Sequence, residues 1–451
     1  MDTRVLKESL YFYNPWWGTG KVPLDLLKAY QRPILKTLVS YLGLDRIIVL
    51  KGPRRTGKTT LFYQIIDYLL KEGVIPTNII FLSYDDIEVR VDVDKIFKAY
   101  QEINKRLIKE GELIYVFMDE VHFLENWQLY VKKYFDRKYP LKFLVSGSAA
   151  TLIKRATESL AGRTIEETIY PFSFYEFLSY KFKNQKAIQV IDDLRKAFTP
   201  FKLIDITNLI PYIPEIRIIF EEYLEKGGFP NLFVISEKLL WKRLVREDIV
   251  EKVIYRDLVE LYGIKKPEVL ERLFLYLADI TGQILSVVNI ANSFKLSREY
   301  TEKYLVYLEQ SVLIKRLRKY AKSVEGIIRS SEKIHLLDSG LINAFSNVEI
   351  GRVLESLVAS HLLRDREKKI YYFREKYEVD LVTDVDKKIF PIEVKYKDNI
   401  QKRDLSGIYS FSRKFKSDTL IVVTPDLLKE ETLNGRKIIY IPAWLFLLLF
   451  G

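Results

Sequence analysis

The stretch that decides the fold of this sequence is Gly52-Pro53-Arg54-Arg55-Thr56-Gly57-Lys58-Thr59, which satisfies the pattern GxxxxGK[ST] at each fixed position. The apolar, β-branched run 46–51 before it predicts a strand, and the apolar spacing of 58–70 predicts a helix. In such a strand–loop–helix, the backbone N–H groups of the loop form a nest for phosphate oxygens, and the helix N-terminus adds the positive end of its dipole. The stretch therefore predicts a phosphate-binding loop in an α/β sheet.

The side chains of this loop predict a bound nucleoside triphosphate, ATP, together with Mg²⁺. We expect Lys58 to reach the β- and γ-phosphates and the Thr59 hydroxyl to ligate Mg²⁺. Thr60 is expected to contact the α-phosphate, whereas the side chains of Arg54 and Arg55 are interpreted as solvated or structural. The residues predicted to bind the nucleotide are Gly52, Pro53, Arg54, Arg55, Thr56, Gly57, Lys58, Thr59 and Thr60.

A second apolar strand, predicted at 113–118, ends in two adjacent carboxylates, Asp119 and Glu120. We expect Asp119 to hold Mg²⁺ through water, as a Walker-B aspartate does. Glu120 is the predicted general base, which orients and polarises the attacking water. The two acids would thus complete the nucleotide site from a neighbouring strand.

Two further residues are candidates for catalysis. Ser148, with Ser146, ends the next predicted strand, where it could sense the γ-phosphate; the alternative is a plain Gly/Ser turn. Arg163 is a candidate arginine finger, acting in cis or from a neighbouring subunit, and the alternative is a surface arginine at a helix end. A role in trans predicts a homo-oligomer.

Strands and helices alternate around these motifs. Apolar runs predict further strands at 79–82 and 141–145, and helical spacing predicts helices at 93–109 and 127–136. Such alternation predicts a parallel sheet that is covered by helices on both faces.

Several motifs together resemble the prokaryotic, largely archaeal, AAA+-type P-loop ATPases that carry a C-terminal domain similar to restriction endonucleases of the PD-(D/E)xK type. The resemblance spans nearly the whole chain and implies ATP hydrolysis. The motifs that carry it are Gly52–Thr59, Asp119-Glu120-Val121-His122, Asn126-Trp127, Gly147-Ser148, Leu160-Ala161-Gly162-Arg163, Pro171-Phe172-Ser173-Phe174-Tyr175-Glu176-Phe177, Gly227-Gly228-Phe229-Pro230 and Tyr255-Arg256-Asp257.

The segment 267–320 has the pattern of a helix-turn-helix followed by a wing. A short helix at 290–294 precedes a longer one at 298–310, and a strand follows at 313–317. The basic N-terminal end of the longer helix predicts entry into a DNA major groove, and the basic stretch 315–322 predicts phosphate contacts. Winged helices also serve as protein–protein modules or rigid spacers.

A second candidate site lies in the C-terminal part. Glu355 stands on a predicted helix, Asp380 near a strand start, and Glu393 and Lys395 at the end of another strand, the order found in restriction-endonuclease-like sites. We expect Asp380 and Glu393 to ligate Mg²⁺ or Mn²⁺, Glu355 to complete the shell, and Lys395 to orient water or neutralise charge. Such a site could cleave nucleic acid or be retained for binding alone.

Composition bounds the remaining choices. The chain has 451 residues, 48% of them hydrophobic, and no cysteine, which excludes disulfides, cysteine-ligated zinc and thiol catalysis. No stretch reaches the ~20 apolar residues of a membrane helix, and the N-terminus lacks a signal peptide core, so we expect a soluble, cytoplasmic protein. Two methionines among many lysines and glutamates favour a heat-adapted source. The net charge of +12 makes DNA the first partner to consider.

These patterns predict an α/β chain in four parts: an AAA+-type P-loop ATPase domain (1–180), a helical lid (181–264), a winged helix-turn-helix (265–325) and an α/β restriction-endonuclease-like domain (326–451). The predicted function is Mg²⁺-dependent ATP hydrolysis with DNA binding and a metal-dependent endonuclease activity. The alternative is an ATP-driven signalling or regulatory switch whose C-terminal domain is catalytically inactive and binds a partner. A helicase or translocase is a second alternative.

Overall fold

The computed structural model describes residues 3–105, 108, 111–148, 159–199, 202–385, 388–397, 399–433 and 435–451. The chain divides into two compact units, and the first of them is discontinuous in sequence. The first unit comprises Met1–Ile169 and Tyr255–Ile264, and the second comprises Tyr170–Ile254 and Lys265–Gly451. Part of the predicted lid, 255–264, therefore belongs to the unit that holds the phosphate loop.

The first unit is built on a five-stranded parallel sheet in the order β2-β3-β4-β1-β5. Lys51 lies opposite Gly147, and Met118 lies opposite Val145, so the carboxyl ends of β1, β3 and β4 meet at one edge. The strands are β1 (Ile47–Lys51), β2 (Ile79–Ser83), β3 (Ile114–Asp119), β4 (Leu141–Gly147) and β5 (Thr164–Thr168).

Hydrophobic side chains cover this sheet on both faces, as predicted. Alternate residues of β1 enter two separate cores: Ile47 and Val49 pack on one face, Ile48 and Leu50 on the other. The α-helices of the unit are Thr3–Tyr13, Trp16–Thr19, Ile34–Ser40, Lys58–Lys71, Val93–Asn104, Trp127–Asp136 and Val259–Tyr262, with 3₁₀ turns at Tyr41–Gly43, Pro76–Asn78, Ile87–Val89 and Val121–Phe123.

The second unit is helical in its first part. A π-helix, Val245–Leu258, connects it covalently to the 255–264 segment of the first unit. Its α-helices are Phe174–Lys181, Gln185–Ala197, Ile213–Lys226, Lys238–Leu244, Pro267–Asp279, Val287–Phe294, Arg298–Gln310, Val324–Ile328, Ser339–Phe345, Ile350–Leu362, Ser406–Phe415 and Ala443–Leu449, with 3₁₀ turns at Thr207–Tyr212, Pro230–Leu232 and Lys402–Leu405.

Two sheets complete the second unit. An antiparallel pair joins β6 (Ile314–Arg318) to β7 (Glu332–Leu336), and a mixed sheet has the order β12-β13-β11-β10-β9-β8. β10 and β13 both run parallel to β11, between antiparallel partners at either side. The strands of the mixed sheet are β8 (Ile370–Arg374), β9 (Glu378–Val385), β10 (Lys388–Val394), β11 (Thr419–Thr424), β12 (Lys429–Leu433) and β13 (Arg436–Pro442).

The element order of the predicted helix-turn-helix, with helices at Val287–Phe294 and Arg298–Gln310 followed by β6, is present. The predicted domain boundary between residues 325 and 326, however, separates β6 from β7, which pair with each other. In the part of the chain that the structure describes, no helix is both long enough and apolar enough to cross a membrane.

Candidate functional site

The phosphate loop leaves β1 through a close backbone contact that requires glycine. A Cβ on Gly52 would lie 2.3 Å from the carbonyl oxygen of Ile169, whose N–H donates to Lys51 at 2.7 Å. At the other end of the loop, Gly57 has a φ of +92°, in the left-handed region that favours glycine, and the helix begins at Lys58. Both glycines of the predicted motif are therefore needed for the shape of the loop.

Side chains within and beside the loop hold it closed on itself. The buried Lys58 Nζ donates to the carbonyls of Gly52 at 3.2 Å and Pro53 at 3.0 Å, and the Thr56 hydroxyl donates to Pro53 O at 3.0 Å. Arg32, which the sequence did not single out, donates to the Thr56 carbonyl at 2.9 Å from outside the motif. Lys58 thus lies inside the loop, where a phosphate oxygen could replace carbonyls as its partner.

Asp119 joins the loop to two strands at the carboxyl edge of the sheet. The Thr59 hydroxyl donates to Asp119 Oδ2 at 2.7 Å, and the Ser146 hydroxyl donates to Asp119 Oδ1. Burial, and then the charge of Glu120, raise the pKa of Asp119 to about 6. The structure thus brings three polar groups from the ends of β3 and β4 and from the loop helix into contact.

Glu120 follows with a φ of 48°, a left-handed conformation that is costly for a residue with a Cβ. Its N–H donates to the Ser146 hydroxyl at 3.4 Å, and its Oε2 lies 3.3 Å from His122 Nδ1. Burial alone would raise the pKa of Glu120, but positive charge, that of Lys58 foremost, outweighs it and lowers the pKa. The carboxylate is therefore ionised and held beside the loop.

Of the two interpretations left open for Arg54, solvated or structural, its contacts support the structural one. Its Nε lies 3.1 Å from both carboxylate oxygens of Asp257, and its Nη2 lies 2.6 Å from Asp257 Oδ1. Asp257 is buried, and its Oδ1 is also 4.0 Å from His122 Nε2. In the sequence, Asp257 belongs to the motif Tyr255-Arg256-Asp257, which contributed to the family resemblance, but no role was predicted for it.

The other two predicted catalytic residues differ in position. Ser148 is buried just beyond Gly147, at the carboxyl edge of the sheet. Arg163 lies at the opposite edge: its carbonyl accepts from Ile47 N at the start of β1, about 16 Å of strand from the phosphate loop. Its guanidinium is bound to Asp136 at 2.6 Å. A cis role for Arg163 does not fit this position, and the role in trans stays a prediction.

The donor set at the phosphate loop suits Mg²⁺, which prefers hard oxygen ligands and keeps several waters. A hydroxyl oxygen of Thr59 and a carboxylate oxygen of Asp119 are already within 2.7 Å of each other. Within the described ranges, no group of three or more histidine, aspartate or glutamate side chains is arranged to hold a metal ion. A cation at the loop would therefore depend on the phosphates for further ligands.

The predicted acidic site of the second unit contains a lysine that the sequence did not single out. Lys333, on β7, lies with its Nζ 2.6 Å from Glu355 Oε1, 2.6 Å from Glu378 Oε1 and 3.8 Å from Asp380 Oδ1. Burial, with the charge of Asp380, raises the pKa of Glu355 to about 8 against the attraction of Lys333. Because Glu355 is in contact with Lys333, it is poorly placed for its expected role as a metal ligand.

The other predicted residues of this site come together around a second lysine. Lys395 Nζ lies 2.5 Å from Glu393 Oε1 and 4.0 Å from Asp380 Oδ2, and Asp380 accepts from Val394 N at 2.8 Å. Burial and the charge of Asp380 raise the pKa of Glu393 well above its usual range. The four predicted residues Glu355, Asp380, Glu393 and Lys395 thus lie in one cluster. We call this cluster, together with Glu378 and Lys333, the acidic centre.

Much of the predicted basic wing is neutralised internally. The Arg316 guanidinium contacts three carboxylates, Glu302 at 2.9 Å, Glu309 at 3.1 Å and Glu332 at 2.9 Å. Lys315 lies 2.8 Å from Glu309. These cations stabilise the packing of the helix Arg298–Gln310 on the β6–β7 pair, so they are poorly placed to contact DNA phosphates.

Comparison with known families finds three matching regions. Residues 44–178 match a family described as AAA domain. Residues 217–350 and 350–444 match two domains of unknown function, DUF8612 and DUF4143. The first match covers the phosphate loop, Asp119 and Glu120, and it agrees with the parallel sheet. Most of the region that matches the AAA domain family therefore lies in the first unit.

Relatives align with most of this chain. The chain is 25% identical over 421 residues to an uncharacterized protein of Haemophilus influenzae, covering 91% of this chain and 97% of that protein. Two uncharacterized proteins of Methanocaldococcus jannaschii are 26% and 27% identical, covering 89% and 94% of this chain and 88% and 89% of the relatives. A crystal structure of a DNA replication initiation factor aligns with a TM-score of 0.26 and 19% identity over 62% of this chain and 91% of that one, a likeness too distant to carry an argument.

Proposed function

We propose that the chain is a Mg²⁺-dependent ATP hydrolase whose second unit binds DNA without cutting it. The observation that carries the ATPase proposal is the contact of Asp119 with both Thr59 and Ser146, directly beside Lys58 and the loop. Hydroxyl, carboxylate and ammonium groups thereby converge where the phosphates of a nucleotide would lie. DNA enters the proposal through the net charge of +12.

Each group of the loop has a distinct task toward the triphosphate. The backbone N–H groups and the helix N-terminus bind phosphate oxygens, and Lys58 exchanges its contacts with Gly52 and Pro53 for contacts with the β- and γ-phosphates. Thr59 and Asp119 would hold Mg²⁺, which when bound neutralises charge on the phosphates. Ser146 keeps the Asp119 carboxylate oriented through its hydroxyl.

Glu120 is proposed as the general base. Its lowered pKa keeps it ionised at neutral pH, so it can accept a hydrogen bond, and then the proton, from a water that attacks the γ-phosphate. The left-handed backbone at Glu120 fixes the direction of this side chain. Burial lowers the pKa of His122, which lies beside it.

The test is nucleotide binding and turnover measured on three variants. Lys58→Ala should abolish ATP binding, whereas Glu120→Gln should bind ATP and lose hydrolysis by a factor on the order of 10²–10⁴. The matched control is Glu125→Gln, at an exposed glutamate between β3 and the helix Trp127–Asp136. This variant should hydrolyse ATP as fast as the wild type. Normal hydrolysis by Glu120→Gln would show that another residue polarises the water.

We further propose that Arg163 acts on the nucleotide of a neighbouring copy, because its place at the opposite edge of the sheet leaves its own loop out of reach. The proposal predicts a homo-oligomer that forms or tightens with ATP. Gel filtration with and without ATP tests it, and a strict monomer in both states would remove the role in trans.

The contact with DNA is assigned to the predicted helix-turn-helix of the second unit. Lys295 and Arg298, at the start of the helix Arg298–Gln310, are exposed, in contrast to the internally paired Arg316. A signalling switch that binds another protein through this unit is the alternative, and it predicts no salt-dependent DNA binding.

A further inference from the structure

We propose that the ammonium of Lys333 occupies the position of a divalent cation in the acidic centre, so that this centre works without a metal. The proposal concerns the second unit alone and does not depend on the ATPase activity of the first. It opposes the metal-dependent nuclease that the resemblance implies, and it rests on the placement of one side chain.

Lys333 reaches the acidic centre from a strand outside the mixed sheet. It stands on β7, opposite Leu317 of β6 and in a further bridge with Ile284. The side chain is 1% exposed and ends between the helix that carries Glu355 and the strand that carries Glu378 and Asp380. The backbone pairing of β7 on two sides fixes this placement.

The ammonium of Lys333 is in close contact with two carboxylates. One oxygen of Glu355 and one of Glu378 lie 2.6 Å from its nitrogen, slightly closer than is usual between a charged donor and a charged acceptor. Burial alone would lower the pKa of Lys333, but Glu355, Asp380 and Glu378 outweigh it and raise the pKa. The ammonium of Lys333 therefore lies where three carboxyl groups favour a positive charge.

A metal in the remaining space would meet positive charge on both sides. Asp380 and Glu393 could still offer oxygens, and Glu393 Oε2 is buried without a hydrogen bond to a described residue. Lys333 lies 3.8 Å from one oxygen of Asp380, and Lys395 lies 4.0 Å from the other. Because like charges repel strongly in a buried site, a divalent cation could bind here only against both ammonium groups.

The experiment measures Mn²⁺ bound to the full-length, nucleotide-free chain by electron paramagnetic resonance. Wild type and Asp380→Asn should bind the same amount, because neither loads the acidic centre. Lys333→Met should gain a bound Mn²⁺ that the double variant with Asp380→Asn loses. A wild-type chain that binds Mn²⁺ and loses it in Asp380→Asn would overturn the proposal.

Thermal unfolding of the same proteins guards against misfolding. In EDTA, Lys333→Met should unfold at a lower temperature than wild type, since it leaves buried carboxylates without a counterion, and Mn²⁺ should restore part of the loss. Mn²⁺ should raise the unfolding temperature of wild type by no more than it raises that of Asp380→Asn. If Lys333→Met does not fold, the comparison of wild type with Asp380→Asn still decides the question.

Plasmid DNA supplies a second readout with Mg²⁺ or Mn²⁺ present. Wild type, Asp380→Ala and Glu393→Ala should leave the plasmid equally intact, and cleavage by wild type that both variants lose would contradict the proposal. ATP turnover is measured on the same preparations, so a failure of the ATPase proposal is seen separately.

Discussion

At the scale of single residues, the nucleotide site keeps Asp119 in a conformation suited to a cation and costly without one. The carboxylate is 2% exposed and lies beside the ionised Glu120. Two hydroxyls, from Thr59 and Ser146, compensate this burial only in part, because the pKa is still raised. The binding of a cation would therefore offset the free-energy cost of burying the Asp119 carboxylate.

Asp119→Asn should therefore stabilise the nucleotide-free protein while stopping ATP turnover. The pKa of Asp119, about 6, lies above the ordinary 3.8, so the folded state binds its proton more tightly than the unfolded state, and stability falls as the pH rises from about 4 to 6. At pH 7.5 the variant should gain on the order of 2 kcal/mol in the free energy of unfolding, and at pH 4 almost nothing. Thermal unfolding at both pH values tests this, with the exposed Asp45→Asn as control. An equal or lower unfolding temperature at pH 7.5 would contradict it.

At the scale of elements, the segment Tyr255–Ile264 acts as a wall of the nucleotide site although it follows β5 by many residues. Asp257 fixes Arg54 inside the phosphate loop, and Arg256 reaches Asp85 at 2.5 Å after β2. This segment continues covalently into the second unit at both ends.

Asp257→Asn should weaken both the fold of the first unit and its grip on ATP. Loss of the carboxylate charge leaves Arg54, whose side chain is 12% exposed, without its counterion, at a cost on the order of 3 kcal/mol, and the loop loses its anchor. We expect a higher KM for ATP and a lower unfolding temperature, with Glu260→Gln, exposed on the same segment, unchanged. Combining Asp257→Leu with Arg54→Met should recover stability but not ATP affinity, and additive losses in stability would exclude the pairing.

A second element-scale device is the glycine pair at Gly227 and Gly228. The N–H of Gly228 donates to the buried Asp338 at 2.7 Å, and a Cβ on Gly228 would lie 2.2 Å from the carbonyl oxygen of Phe172. Gly228→Ala should therefore lower the free energy of unfolding by about 1–3 kcal/mol. Gly351→Ala is the matched control, because nothing lies within 4 Å of its Cβ and alanine favours the helix. Similar unfolding temperatures in the two variants would contradict the close packing.

Local elements were predictable from the sequence, and their distant partners were not. The strand before Gly52, the helix after Lys58 and the helix Trp127–Asp136 follow from periodicity within one stretch. β5, with the half-polar sequence Thr-Ile-Glu-Glu-Thr, has no such pattern and was missed. Asp257 contacts Arg54 across 203 positions, and Lys333 contacts Glu378 across 45. Such pairings depend on how the chain returns, which no local spacing encodes.

At the scale of the whole molecule, positive charge is in excess, but some of the basic side chains are already paired with carboxylates. Lys315 and Arg316 of the predicted wing pair with glutamates, whereas Lys295 and Arg298, at and just before the start of the longer helix, are exposed. The net charge of +12 therefore overstates what a DNA backbone would meet in this region. Binding is expected to come from a few exposed cations at a helix start.

Measured binding of DNA duplexes at several salt concentrations separates these cations. Lys295→Gln and Arg298→Gln should each weaken binding and reduce the slope of log K against log salt by about 0.9, the value for one lost phosphate contact. Lys315→Gln, whose charge is already paired with Glu309, should leave the slope unchanged. Equal effects of all three would indicate a diffuse field, and the absence of any binding would favour the switch that binds a protein partner.

The discontinuity of the first unit matters to anyone who shortens the gene. A fragment cut to the matched stretch 44–178 would keep Arg54 and discard the residue that neutralises it. Poor solubility or weak nucleotide binding by that fragment would then reflect the loss of Asp257 and would not test the proposed activity of the whole chain. A useful truncation has to keep together all the segments that fold into one unit. Here these segments are Met1–Ile169 and Tyr255–Ile264, which are far apart in the sequence.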